Sequence, residues 1–206
     1  MKKEKNNRKL NLILVIIILL LIIVLALISY NYYKNKKRSD EAQSKVYEFI
    51  EMRINNSESI ENEEVQYIVE DAPPILGYDG YNIIGVIEIP NINIKYPILS
   101  EATKDALKRS IGFAYGVGLN QNGNTLLLGH NYKHGAFFGN LKKLKNGDKI
   151  YITDLNRDKI EYIVYNMYIT TFGDKDFMLK QPEEKEITLR TCTTNGKGIL
   201  IIEARH

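Results

Sequence analysis

The chain has 206 residues, enough for one domain of ordinary size with additional segments. Its 28 basic and 25 acidic side chains give a net charge of +3, a balance that argues against a nucleic-acid-binding protein. Nine of the basic residues lie within residues 1–38, whereas the remainder of the chain holds 19 basic and 24 acidic residues. The positive charge therefore belongs to an N-terminal segment and not to a basic surface of a folded domain.

Residues 12–28 form an unbroken apolar run, LILVIIILLLIIVLALI, which Leu10 extends. A helix over residues 10–28 would be about 28 Å long, close to the hydrocarbon thickness of a bilayer. The run is longer than the apolar part of a signal peptide, and the bulky residues after it do not form a cleavage site. We therefore predict a cytoplasmic basic tail at residues 1–9 and a transmembrane signal-anchor at residues 10–29.

The charges beside this span give only a weak bias in orientation, because five Lys or Arg residues precede it and four follow it. A tail of nine residues is easier to retain in the cytoplasm than a folded domain. We therefore predict a single-pass type II protein of the cell membrane, with its C-terminal domain outside the cytoplasm.

Residues 30–74 are predicted to form an extracytoplasmic stalk or linker. After Ser39 or Asp40, either of which can cap a helix, apolar residues recur at helical spacing, which predicts a helix near residues 40–54. Residues 55–72 are acidic and polar, and the two prolines at 73–74 impose an extended backbone. The folded domain is therefore predicted to occupy residues 75–206.

The C-terminal domain is predicted to be mostly β. Short runs of alternating apolar and polar residues follow one another between turn residues: IIGVIEIP, INIKYPIL, TLLLG, KIYIT, KIEYIVYNMYIT, EITLRTC and ILIIEAR. Seven or eight strands in about 130 residues, with little helix, indicate a small closed or nearly closed barrel. Because side chains fill the interior of such a barrel, a functional site is expected on strand ends and loops.

Cys192 is the only cysteine, and it ends the predicted strand EITLRTC. A disulfide within the chain is therefore excluded, which leaves an inert buried thiol, an intermolecular bridge or a nucleophile. A thiol with the ordinary pKa of about 8.5 is a poor nucleophile at neutral pH unless a base assists it. His130 directly follows the apolar strand TLLLG, where it can take a proton from the thiol and return it to a leaving amine.

Two arginines could supply positive charge to such a site. Arg190 lies two residues before Cys192 on the same face of the strand, and Arg205 lies on the last strand. If Asn195 and Gly196 formed a tight hairpin, residue 192 would face residue 199 and Arg205 would face Glu186, far from the thiol. Arg190 therefore remains an alternative to Arg205.

A metal site is not predicted. His134 follows His130 at the spacing of a zinc-binding H-x-x-x-H pair, but Asn131 stands where the motif has Glu, and Gly135 disfavours a helix. One cysteine and three histidines are also few ligands for zinc. We predict that His134 is a solvent-exposed loop residue.

Four segments together resemble the sortases, the cell-wall cysteine transpeptidases of Gram-positive bacteria. TLRTC resembles their T-L-x-T-C signature, LLLGHN the segment with their catalytic histidine, and the last strand the one with their arginine. IGVIEIPNINIKYPIL resembles their opening strand pair. The resemblance covers roughly residues 80–206, keeps the order His, Cys, Arg, and implies a closed eight-stranded β-barrel with short helices.

The resemblance also implies a function: cleavage of a Leu-Pro-x-Thr-Gly type C-terminal sorting signal on surface proteins. Cys192 would form a thioester with the Thr carbonyl, His130 would protonate the leaving amine, and Arg205 would hold the oxyanion. Thr191 and Arg190 would make further substrate contacts. An amine from a peptidoglycan precursor or a pilin would resolve the thioester, and no cofactor or metal is implied.

The connection between the strands KIEYIVYNMYIT and EITLRTC has about sixteen residues, where class B sortases carry a long helix. The domain therefore looks more like the small class A, D or E forms, and the aromatic lid of class C is not evident in EDAPPIL. Two alternatives remain open on the residues alone. One is a non-catalytic anchored barrel that binds a wall or protein partner, and the other is a cysteine protease that hydrolyses the same kind of peptide.

Overall fold

The computed structural model describes residues 2–58 and 76–206, and the side chains of residues 11–52 and 76–206. The chain divides into two compact units, Met1–Lys37 and Arg38–His206. The predicted linker lies outside the described residues from residue 59 onward, and so do the two prolines at 73–74.

Helix α1 spans Lys2–Glu58 and runs through the predicted anchor. Within it, residues Asn11–Met52 contain a stretch long and apolar enough to cross a membrane, and none of that stretch is buried. Leucine and isoleucine side chains between residues 12 and 28 are about half exposed or more, as a lipid-facing helix requires. The helix is thus a candidate membrane span in the position that the sequence predicts.

The last part of α1 belongs to the second unit. Ala42, Val46 and Phe49 recur at spacings of four and three residues, and all three are buried in the main hydrophobic cluster of that unit. The hydroxyl groups of Ser39 and Tyr96 are 2.7 Å apart in the same buried layer. The predicted helix near residues 40–54 is therefore a packed part of the folded unit and not a separate stalk, because its apolar face is covered.

The second unit is a closed β-barrel. The described residues contain nine strands: β1 Gly77–Tyr78, β2 Tyr81–Ile89, β3 Ile94–Leu99, β4 Ile111–Gly116, β5 Gly123–Leu128, β6 Lys149–Asp154, β7 Lys159–Thr170, β8 Lys185–Cys192 and β9 Ile199–Arg205. Their order is β1-β2-β3-β4-β5-β8-β9-β7-β6, and β2 also pairs with β6. The pairing of β2 with β6 closes β2–β9 into an eight-stranded barrel, which confirms the predicted fold.

Two pairings in the barrel are parallel, β3 with β4 and β5 with β8. The β5–β8 pairing places the C-terminal ends of these two strands at the same edge of the sheet. Strand β4 was not predicted from the sequence. It pairs with β3 through only two residue pairs, and its register against β5 is irregular. Its residues IGFAYG therefore do not need to alternate between apolar and polar, and the pattern that predicts a strand is missing.

The sheet formed by β5, β8, β9 and β7 is covered on both faces. On the interior face, Ile187, Leu189 and Ile202 join the main core. On the outer face, Leu126, Phe177, Ile199 and Ile201 form a second buried cluster. Phe177 belongs to the four-residue helix α2, Asp176–Leu179, in the connection between β7 and β8. Single 3-10 turns lie at Pro90–Ile92, Ala106–Lys108 and Leu141–Lys143.

Candidate active site

The site is defined by the C-terminal ends of β5 and β8. In the parallel register, Leu128 at the end of β5 pairs with Arg190, and β8 continues for two more residues to Cys192. Gly129 and His130 follow β5 directly. The fold therefore brings His130 and Cys192, which are 62 residues apart in sequence, to neighbouring strand ends.

Three hydrogen bonds join the two chain segments at this edge. The Gly129 N–H donates to the Arg190 carbonyl at 3.3 Å. The Thr191 hydroxyl donates to the Gly129 carbonyl at 2.7 Å, and the Asn131 side-chain amide donates to the Cys192 carbonyl at 2.7 Å. The backbone of Gly129, before His130, and the side chain of Asn131, after it, are thus hydrogen-bonded to the last residues of β8.

Gly129 allows the end of β5 to lie close to the core. A Cβ atom at this position would be 2.7 Å from side-chain atoms of both Ile111 and Phe138. Contacts that short are repulsive, so a larger residue would displace the segment that carries His130. In the Gly-His pair of the sequence, the glycine is therefore needed for close packing, and the histidine supplies the reactive side chain.

His130 is half-buried, and its ring lies 5.3 Å from the ring of Tyr132. Burial lowers the pKa of His130 below its ordinary value, and the positive charge of Lys108 lowers this pKa further. Both causes favour the neutral imidazole near neutral pH. A neutral imidazole can accept a proton from a thiol or an amine.

Cys192 is exposed, which excludes the inert buried thiol that the sequence left open. The hairpin after it spans residues 193–198 and is closed by a hydrogen bond from the Thr193 N–H to the Gly198 carbonyl at 2.9 Å. A thiol in this position is accessible to a peptide or to an alkylating reagent.

Thr191 does not occupy the position expected of a substrate contact. It is 4% exposed, and its hydroxyl donates to the Gly129 carbonyl. Adjacent residues of a strand point to opposite faces, so Thr191 points to the barrel interior when Cys192 points outward. The Thr191 hydroxyl thus joins β8 to the segment before His130, and a contact between Thr191 and substrate stays a prediction.

The structure does not bring Arg205 to the thiol. In the antiparallel pairing of β8 and β9, Cys192 pairs with Ile199 and Arg205 pairs with Glu186. Six residues separate Ile199 from Arg205, which is about 20 Å along a strand. Arg205 lies over the ring of Tyr165, with 5.2 Å between the guanidinium carbon and the ring centroid. The register thus places Arg205 at the opposite end of the strand pair from the thiol, which argues against the oxyanion role predicted for it; that role itself stays a prediction.

Arg190 is the arginine near Cys192 on β8. It is half-buried and projects from the same outer face, and its guanidinium forms no ion pair or hydrogen bond among the described residues. Lys197 is a second cation in this hairpin, exposed and two residues before Ile199, the residue that pairs with Cys192. Lys197 is not among the site residues predicted from the sequence.

His134 differs from its prediction. It is half-buried, and its ring stacks on the ring of Tyr132 with 5.4 Å between centroids and 23° between planes. Among the described residues, no group of three or more His, Cys, Asp or Glu side chains could hold a metal ion. His134 is thus part of the aromatic packing beside His130.

A cavity of about 660 Å³ opens near the N-terminal end of β5. It is lined by residues of three segments: Phe113–Val117 of β4 and its turn, Asn122–Asn124 at the start of β5, and Met178–Pro182 at the end of α2 and just after it. Asn124 donates from its amide to the Phe177 carbonyl at 3.0 Å, which ties α2 to the sheet. The outer face of β5 and β8 therefore has a thiol at one end and a cavity toward the other.

Comparison with known proteins agrees with this fold and site. Residues 87–206, more than half of the chain, match the family model of the sortase domain. The chain therefore belongs to the sortase family. It is 37% identical over 120 residues to sortase A of Bacillus anthracis, which covers 56% of this chain and 55% of that protein. It is 28% identical over 109 residues to sortase D of Bacillus subtilis, which covers 52% of this chain and 53% of that protein.

Solved structures show the same architecture. A sortase D5 transpeptidase of Clostridium perfringens has 27% sequence identity and a TM-score of 0.57, with 84% of this chain and 98% of that chain covered. A lid mutant of sortase A from Corynebacterium diphtheriae has 27% identity and a TM-score of 0.56, covering 61% of this chain and 70% of that chain. The chain spans about half the length of sortase A of Bacillus anthracis and of sortase D of Bacillus subtilis.

Proposed function

We propose that the protein is a membrane-anchored cysteine transpeptidase that cleaves a C-terminal sorting signal of Leu-Pro-x-Thr-Gly type. The observation that carries the proposal is the exposed thiol of Cys192 at the end of β8, beside His130 at the end of β5. An accessible thiol and a half-buried imidazole on neighbouring strand ends are the two groups that acyl transfer through a thioester requires.

The proposed reaction has two steps. The sulfur of Cys192 attacks the Thr carbonyl carbon while His130 takes the thiol proton, and His130 gives this proton to the leaving Gly amine as the Thr–Gly C–N bond breaks. An acceptor amine then attacks the thioester carbon, His130 takes the proton that this amine loses, and it returns this proton to the departing sulfur of Cys192 as the new amide forms. Atoms and charge balance without a cofactor or metal.

Arg190 takes the role first assigned to Arg205. Its guanidinium is without an ionic partner among the described residues, and it projects from the same face of β8 as the thiol. A cation in this position can bind the substrate backbone and stabilise the negative charge that develops on the carbonyl oxygen. The peptide would lie along the outer face of β5 and β8, toward the cavity beside α2.

The partners of the enzyme would be surface proteins that carry the sorting signal and an amine of a peptidoglycan precursor or a pilin.

The apolar part of α1 would hold the enzyme in the cell membrane with its catalytic unit outside the cytoplasm. Protease added to intact protoplasts should then degrade the unit after residue 38, whereas protection of this unit would contradict the proposed topology.

The direct test is the covalent intermediate. The full-length protein in detergent micelles is incubated with a peptide that contains Leu-Pro-Glu-Thr-Gly, with and without a primary amine, and analysed by intact mass spectrometry. We expect an adduct on Cys192 equal to the peptide cut after Thr, and an amide product when the amine is present. The Cys192→Ala variant should fold, form no adduct and yield no product. Turnover by folded Cys192→Ala would contradict the proposal, and hydrolysis unaffected by the amine would indicate a protease.

A further inference from the structure

We propose that Asn131 is a positioning residue that holds the main chain of Cys192 in place relative to His130. This inference rests on the proposed function, since it concerns the two groups to which the chemistry is assigned. Asn131 follows His130 directly, and its amide donates to the Cys192 carbonyl at 2.7 Å. One side chain therefore connects the segment of the imidazole to the residue that carries the thiol.

The direction of the Cys192 carbonyl explains why this contact is needed. The Thr193 N–H donates to the Gly198 carbonyl, so the adjacent pair of Cys192 and Ile199 is a non-hydrogen-bonded pair of the antiparallel ladder. In such a pair, the backbone groups point away from the partner strand. The Cys192 carbonyl therefore points away from β9 and toward the line of β5.

Strand β5 has already ended at that level. The ladder between β5 and β8 continues to the bond from the Gly129 N–H to the Arg190 carbonyl. In a regular parallel ladder, the next donor to β8 would be the backbone N–H of residue 131, with the Cys192 carbonyl as its acceptor. The structure has the side-chain amide of Asn131 at this acceptor instead, so a side chain replaces the missing ladder bond.

This replacement leaves the backbone at residue 130 free to depart from the strand. The His130 carbonyl accepts a hydrogen bond from the Phe138 N–H at 3.0 Å, which belongs to the following loop and not to β8. The chain can thus turn away at His130 while Asn131 still fixes the distance between the two segments. A strand continued to residue 131 would not permit that turn.

The expected consequence is kinetic. The Asn131 contact is partly exposed to solvent, so its loss should change the stability of the barrel only slightly. Proton transfer and nucleophilic attack depend on the relative positions of imidazole and thiol, and a displacement of about 1 Å can cost about a hundredfold in rate. Removal of the Asn131 amide should therefore lower kcat more than it changes KM.

The test compares four variants of the full-length protein in detergent micelles: Asn131→Ala, Asn131→Asp, Asn131→Gln and the control Asn91→Ala. Asn131→Asp keeps the size of the side chain but lacks the N–H donor, whereas Asn131→Gln keeps the donor on a longer chain. Asn91 also donates from its amide to a residue distant in sequence, Asp148 at 2.5 Å, but in the turn between β2 and β3. It therefore controls for the loss of one exposed amide contact.

We expect Asn131→Ala and Asn131→Asp to lose about tenfold or more in kcat with KM changed less than about twofold, at an unfolding temperature close to that of Asn91→Ala. Asn131→Gln should recover part of the rate. A kcat for folded Asn131→Ala near that of the wild type, or equal losses for Asn131→Gln and Asn131→Ala, would overturn the positioning role.

A second readout separates this inference from the proposed function. Alkylation of Cys192 by iodoacetamide is followed across pH in the wild type, His130→Ala and Asn131→Ala. If His130 acts on the thiol, its replacement changes the pH profile, and Asn131→Ala should change it in the same direction. A profile altered by His130→Ala but not by Asn131→Ala would overturn only the role of Asn131. A profile insensitive to His130→Ala would overturn the pairing of His130 with Cys192, and with it both proposals.

Discussion

Arg190 and Cys192 are two residues apart on β8, and both side chains project from the outer face of the sheet. Arg190 is half-buried and forms no ion pair within the part of the chain that the structure describes. A guanidinium removed in part from water and without a fixed carboxylate partner is suited to bind a developing negative charge on a substrate. Arg205, in contrast, lies opposite Glu186 at the other end of the same strand pair.

The first prediction separates these two arginines. Arg190→Ala should lower kcat/KM by about 10²- to 10³-fold, the scale of an oxyanion donor, whereas Arg205→Ala should stay within a few-fold of the wild type. Arg190→Lys should be intermediate, because lysine keeps the charge but not the planar fork. Peptide cleavage measured at several substrate concentrations provides the comparison. A greater loss of kcat/KM for Arg205→Ala than for Arg190→Ala would show that β8 and β9 have a different register during catalysis. If Lys197→Ala caused the largest loss of the three, the cation that binds the oxyanion would be the lysine of the hairpin.

The second prediction concerns the two histidines of the loop after β5. His130→Ala should reduce kcat by about two orders of magnitude or more, as expected for the loss of a general acid–base group. His134→Ala should stay within a few-fold, because His134 stacks on Tyr132 and is not itself at the end of the strand. Both variants should be assayed beside their circular dichroism spectra. Equal kinetic losses would contradict the assignment of the acid–base role to His130 alone.

The third prediction follows from the charge near His130. Burial lowers the pKa of His130, and Lys108 lowers it further, so removal of the Lys108 charge should raise this pKa. In Lys108→Gln, the limb of the pH–rate profile that reports His130 should therefore move to higher pH, while burial keeps it below the value of a free imidazole. The difference between wild type and variant should diminish in high salt. Lys104→Gln serves as the control, and a shift to lower pH in Lys108→Gln would contradict the assignment of that limb.

The fourth prediction concerns the ion pair that holds the connection after α2. The Lys180 ammonium lies 2.7 Å from Glu203, which is 1% exposed, and 3.6 Å from Glu186. Burial opposes the charged form of Lys180, but hydrogen bonds to Glu203 and Tyr165 and the charge of Glu186 raise its pKa overall. Lys180→Ala leaves a buried carboxylate without its cation, so the free energy of unfolding should fall by about 3 kcal/mol.

The control for Lys180 is Lys175→Ala, an exposed lysine that precedes α2 in the same connection. Urea unfolding of both variants provides the comparison, and Lys175→Ala should remain within about 0.5 kcal/mol of the wild type. A similar small effect of Lys180→Ala would show that the pair with Glu203 does not stabilise the connection.

The fifth prediction tests whether the end of α1 is part of the folded unit. Phe49 is 2% exposed within the main core, so Phe49→Ala should lower the free energy of unfolding by about 3–5 kcal/mol. Tyr47, on the same helix, is 69% exposed, and Tyr47→Ala should change the stability little. Thermal unfolding followed by near-ultraviolet circular dichroism measures both. Equal and small effects would mean that this part of the helix is a stalk after all.

Features that depend on local patterns could be predicted from the order of the residues. An unbroken apolar run predicts a membrane span, and alternating residues predict seven or eight strands, because burial of one face of a strand imposes a period of two. His130 and Cys192 each follow or end such a run, so their placement at strand ends was readable from neighbouring residues. The chemistry proposed for these two residues rests on their side chains and on the resemblance to the sortases, and it could be proposed without knowledge of distant contacts.

The groups that accompany the thiol depend on contacts between distant parts of the chain. The period of two shows which face a residue occupies, but it does not show which residue of the partner strand it pairs with. The register of β8 and β9 pairs Arg205 with Glu186, at the end of the strand pair that is far from Cys192. The parallel pairing of β5 with β8, the burial of Thr191 and the packing of Phe49 all depend on contacts between residues far apart in sequence. Such contacts are fixed by closure of the barrel, since each strand must satisfy two neighbours at once, and no local pattern contains that condition.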